Sequence, residues 1–64
     1  MAMPDTVENR LEISQELLTV SYLHHDAGNQ DYAAALRRQS MACLEGTGDI
    51  EDYARILGKA EEAL

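Results

Sequence analysis

The stretch TVENRLEISQELLTVSYLHHD, residues 6–26, decides the fold, because it reads as one long helix with apolar residues on more than one side. Each helical residue turns roughly 100° about the axis. On that wheel Val7, Leu11, Leu18 and Tyr22 form one stripe, while Ile13, Leu17, Val20 and His24 form a second, rotated by roughly 120–140°. Arg10, Ser14 and Ser21 fall between the stripes, and Glu8, Glu12, Gln15, Glu16 and Thr19 fill the remaining side. A helix that packs on one core needs one stripe. Two stripes serve two neighbours, and the small serines between them let a second backbone come close. Three fates are open for the surplus stripe: cover by the rest of this chain, a second copy in a symmetric bundle, or a groove on a different protein.

The punctuation divides the chain into three helices, at about 6–26, 30–45 and 49–63, after a flexible terminus over 1–5. Asp5 is expected to cap the first helix, with Glu8 three residues on completing a capping-box spacing. Gly28 suits the left-handed residue that closes that helix, and Asn29 is placed to cap the next. The segment Gly46-Thr-Gly-Asp49 breaks the second helix, and Asp49 caps a third whose first turn holds Glu51 and Asp52, where carboxylates suit the helix dipole. In helix three Ile50, Tyr53, Leu57, Ala60 and Leu64 recur on one face. In helix two Tyr32, Leu36, Cys43 and Leu44 share a face with Ala33 and Ser40, and Arg37, Arg38, Met41 and Glu45 point away. The expected fold is therefore all-α: a small three-helix domain spanning 1–64, with a long helix 1 plus a helical hairpin, assembling into a dimeric helical bundle.

A chain of 64 residues holds one domain, and a domain of this size buries only about 60% of the surface its unfolded chain exposes. Small scaffolds commonly recover stability through disulfides, a metal or self-association. Cys43 is the only cysteine, so no disulfide can form within the chain, and a reducing, cytoplasmic setting is expected. Five Lys and Arg stand against twelve Asp and Glu, for a formal charge of −7. Nucleic acid is a poor partner for such a chain, since phosphate binding needs a basic face and Arg10, Arg37, Arg38, Arg55 and Lys59 do not build one. No apolar run approaches the roughly 18 residues of a membrane span. MAMPDTVENR lacks the basic and apolar regions of a signal peptide, and its Met-Ala opening is compatible with an expression remnant.

YLHHDAGNQDY, Tyr22 to Tyr32, is the densest collection of chemistry-bearing side chains. His24 and His25 are adjacent and point roughly 100° apart on a helix, whereas helical zinc ligands stand four residues apart. A metal or thiol centre built from His24, His25 and Cys43 is the alternative to a simpler reading, in which the histidines favour the carbonyl end of the helix and Cys43 is buried and inert. With no orienting third group and no oxyanion hole in view, neither enzymatic activity nor a cofactor is expected. His24 on an interface stripe would make association sensitive to its charge. Glu8, Glu12 and Glu16 repeat every four residues with no lysine to balance them, a candidate docking ridge for a basic partner. Tyr22 is the tyrosine best placed for an interface, since it lies on the surplus stripe.

Gly28-Asn-Gln-Asp-Tyr-Ala-Ala-Ala-Leu36 resembles the turn and second helix of a tetratricopeptide-type hairpin, without a second copy of the unit. Leu44-Glu-Gly-Thr-Gly-Asp-Ile-Glu-Asp-Tyr53, followed by Ala60, is similar to the turn and second helix of the small helical-hairpin co-chaperones of bacterial type III secretion needle subunits. That resemblance implies an adaptor for other helical proteins. The sequence as a whole points to a small acidic protein–protein interaction module, an adaptor, chaperone-like factor or inhibitor. It is expected to form a homodimer and to bind another protein through Val7, Leu11, Leu18 and Tyr22, with Glu8, Glu12 and Glu16 as docking charges.

Overall fold

The computed structural model describes residues 3–64, which form three helices and no strand: α1 (Val7–Asp26), α2 (Gln30–Leu44) and α3 (Ile50–Glu62). Met1 and Ala2, with the first part of the terminus read as flexible, lie outside the described residues.

Local chemistry sets each boundary. Thr6, not Asp5, caps α1: its hydroxyl accepts the Asn9 N–H at 3.1 Å, and the Asn9 amide donates to the Pro4 carbonyl at 2.8 Å. The capping-box reading of Asp5 and Glu8 is thereby replaced, because Asp5 is drawn instead to a guanidinium. α1 closes in a Schellman motif. Gly28, at φ +91°, donates its N–H to the His25 carbonyl at 3.0 Å, and Asn29 donates to the His24 carbonyl at 2.8 Å. α2 closes the same way at Gly46, with Thr47 N–H bonded to the Ala42 carbonyl at 3.1 Å. Asp49 caps α3 by accepting the Glu51 N–H at 3.0 Å. Asn29 sits at the N-cap position of α2 but makes no capping bond; its side chain turns back to His24.

The two tight connections lay the helices up, down and up. Ser40 Oγ donates to the Ser14 carbonyl at 2.7 Å, which pins the middle of α2 to the middle of α1 and excludes anything larger from that crossing. Ile13, Leu17, Val20, Leu36, Cys43, Ile50, Tyr53, Leu57 and Ala60 make the core. Tyr32 and Leu44, read above as core-facing, are exposed, because a stripe on a short helix reaches the centre only where a neighbour covers it.

One charged side chain joins all the parts. Arg10 is 7% exposed and uses all five of its N–H donors. Nε and Nη2 grip the Asp5 carboxylate at 2.6 and 3.0 Å, Nη1 donates to the carbonyls of Cys43 (3.1 Å) and Thr47 (3.2 Å), and Nη2 donates to that of Gly48 at 2.7 Å. The guanidinium also lies 5.9 Å from the centre of the Tyr53 ring, whose hydroxyl donates to the Thr47 carbonyl at 2.6 Å. Gly48 is required there: its φ is +75°, and a Cβ would stand 2.9 Å from the Tyr53 hydroxyl. Tyr53→Phe removes one partly buried hydrogen bond and leaves the ring in place. It is expected to cost about 1 kcal/mol and to lower the melting temperature by roughly 4–8 °C, measured by thermal circular dichroism.

The grip of Arg10 holds the Asp5 carboxyl below its ordinary value of 3.8, chiefly through their hydrogen bond. A depressed carboxylate contributes stability that is complete above its unfolded pKa and is lost as pH falls through the lower folded one. Urea midpoints of wild type and Asp5→Asn should therefore differ most above the ordinary carboxylate pKa and converge in stronger acid. A gap that does not change with pH would show that the bond acts without its charge.

Candidate functional site

Helical geometry places the surplus stripe outside. Leu17 points at the centre of the molecule, and Ile13, Val20 and His24 lie to one side of it, where α3 packs; the His24 ring meets the Ala60 carbonyl at 2.8 Å. Ser14 and Ser21 lie to the other side, beneath α2, and both are buried. Beyond them come Val7, Leu11, Leu18 and Tyr22, roughly 80–140° from Leu17, with exposures from 37% at Leu18 to 80% at Val7.

α2 extends this surface. Counted from its inward-facing Leu36, Leu44 and Met41 also lie roughly 80–140° round, in the same rotational sense. In two antiparallel helices that sense leads to the same side of the pair. The Ser14–Ser40 bond fixes the levels, so that Leu44 stands near Leu11 and Met41 fills the gap between Leu11 and Leu18. Met41 is 59% exposed and Leu44 52%. Six large apolar side chains from two helices thus share the side of the α1–α2 pair that faces away from α3, together with the half-buried Arg37, roughly 100° round from Leu36. Scattered apolar residues are ordinary on a protein surface, whereas a contiguous patch is a feature of binding sites. Met41 and Leu44 were missed in the sequence because each was judged against the core of its own helix; the antiparallel pairing with α1 is what recruits them.

The acidic residues of α1 divide between two places. A step of four residues advances the wheel by roughly 40°, so Glu8, Glu12 and Glu16 drift across α1 rather than forming one ridge. Glu8 borders the apolar face. Glu12 and Glu16 line an open groove of 280 Å³ between α1 and α3, floored by Ile13, Ala54 and Leu57, and Glu16 continues into a second of 410 Å³ beside Val20, Leu23 and Leu64. Glu8 thus adjoins the stripe, and Glu12 and Glu16 stand beside α3.

His24, His25 and Cys43 are not brought together. His24 is fully enclosed, its Nε2–H donating to Ala60 and its Nδ1 accepting the Asn29 amide at 3.1 Å, with the Tyr32 ring edge-on at 4.6 Å between centroids. Its place is the core of its own chain, not an interface with another. His25 is exposed at the end of α1. Cys43 packs by Arg10, whose carbonyl accepts its thiol at 3.5 Å, fourteen residues or about 20 Å down α1 from His24. Burial pushes that thiol up, away from the reactive thiolate. Among the described residues no three His, Cys, Asp or Glu are grouped to hold a metal ion. No helix of the described residues is long and apolar enough to cross a membrane. The turn that resembles secretion co-chaperones is accounted for by its structural tasks: Thr47 and Gly48 serve Arg10, and Asp49 and Tyr53 fix α3.

No curated protein and no solved structure matches this chain. A family model does match, over residues 3–64, so that nearly the whole three-helix unit is covered, and the chain belongs to the family described as a domain of unknown function, DUF7273.

Proposed function

We propose that the protein is a small acidic protein–protein interaction module, of the adaptor, chaperone-like or inhibitor kind, which works through the apolar face of α1 extended by α2. The observation that carries this reading is the exposure of Val7, Leu11, Leu18, Tyr22, Met41 and Leu44 on one side of the α1–α2 pair, which no element among the described residues covers. An open apolar surface is costly in water at about 25 cal/mol per Å², and cover by a partner removes that cost. The charge of −7 disfavours nucleic acid as the ligand. A single buried, reduced cysteine fits a cytoplasmic setting.

A photo-crosslinking residue placed at Leu18 in the source cell tests this, with one at the exposed Glu51 of α3 as the control. The expected result is a discrete protein adduct from position 18 and none from position 51. No adduct from position 18, or equal labelling from both positions, would overturn the reading.

A further inference from the structure

Resting on that reading, we propose that the occupant of the apolar face is a second copy of this chain, with the two α1 helices antiparallel about a two-fold axis that passes between Ser14 and Gln15. The stripe is symmetric in sequence. Its members are separated by four, seven and four residues, so a reversed copy centred between Ser14 and Gln15 sets Leu11 against Leu18 of the second copy and Val7 against Tyr22 of the second copy. Both relations hold in each direction, as a two-fold interface requires. A stripe made for an unrelated partner has no need of this symmetry.

Between Leu11 and Leu18 the outward side of α1 carries the exposed, uncharged Gln15, roughly 160° round from Leu17, while Ser14 is covered by α2. Met41, at the same level on α2, is near its own counterpart across the axis, where its flexible thioether can fill the remaining space. Antiparallel pairing also sets the N-terminal half of one α1 against the C-terminal half of the other, the favourable arrangement of helix dipoles.

The α1 stripe itself is uncharged, with Glu8 at its border and Glu12 and Glu16 turned to the α3 groove, and α2 adds the half-buried Arg37, roughly 100° round from Leu36. The area agrees with a second copy as the occupant. A standard interface takes about 800 Å² from each partner, roughly a fifth of the 4264 Å² surface of this molecule. One broad side of a body measuring 33 × 22 × 15 Å is of that order. A domain of this size without a disulfide gains the most from such cover.

Engineered disulfides read the geometry directly, because Cys43 is fully buried and does not compete. Met41→Cys, oxidised in the purified full chain, is expected to give one species of twice the chain mass. A mixture of Val7→Cys and Tyr22→Cys is expected to cross-link at least several-fold more than either variant alone, with Leu11→Cys plus Leu44→Cys as the wrong-register control. Sedimentation of the wild type as a monomer at every concentration would overturn the second copy. A dimer that cross-links through the control pair would overturn the antiparallel α1 register. An adduct from position 18 to a different protein, with a monomeric purified chain, would end this proposal and leave the binding face standing.

Discussion

Leu17→Ala is expected to lower the stability of the fold by about 2–5 kcal/mol. Leu17 is fully enclosed at the centre of the core, where all three helices meet. Truncation loses its apolar contacts and leaves a cavity, and helices held by one small core have little freedom to collapse into it. Domains of this size sit towards the lower end of the usual 5–15 kcal/mol, so the loss is a large share of the total. The melting temperature should fall by roughly 10–30 °C, as thermal circular dichroism would show at a protein concentration held equal to that of the wild type.

Leu18→Glu, one residue on, is expected to do the opposite. Leu18 is 37% exposed and takes no part in the core, so the monomer keeps its helicity and its dilute-solution melting curve nearly unchanged. Association is what suffers. Each dimer would hold two introduced carboxylates, one per copy, opposite Leu11 of the other copy. A loss of about 2 kcal/mol at each, the size of an interface hot spot, multiplies to roughly a thousand-fold in the dissociation constant. Neighbours in sequence would thus separate folding from assembly. If Leu18→Glu unfolds the dilute chain, the stripe is internal in solution and the outward face is not what α1 presents.

Much of this arrangement is legible in the sequence, and the parts that are not have identifiable reasons. The paired stripes on α1 are visible from periodicity, as are the glycine at Gly28 and the Asp49 cap, since each depends on residues within a turn or two of one another. Periodicity does not say which stripe is inside. That choice is made by the serines: Ser14 and Ser21 lie beneath α2, and the helix is close because they are small, so the wheel is tilted toward Ile13, Leu17 and Val20. Arg10 looks like one more scattered cation until its partners are assembled from positions 33 to 38 residues away. Long-range carbonyl acceptors leave no local trace. Asp5 is open to misreading for a different, local reason: a guanidinium five residues on outcompetes the helix terminus for its carboxylate. The acidic series shows a drift that is already in its spacing: a four-residue step overshoots a 3.6-residue turn, so Glu8 borders the apolar face while Glu12 and Glu16 line the groove beside α3.

The measurement that tests the account most directly is sedimentation equilibrium of wild type and Leu18→Glu side by side over a wide range of concentration, with circular dichroism on the same samples. The account predicts that wild-type mass rises with concentration from 7.1 kDa toward twice that value. It predicts that the variant stays at the single-chain mass while both remain equally helical. A wild type that keeps the mass of one chain throughout, and matches the variant at every concentration, would contradict it.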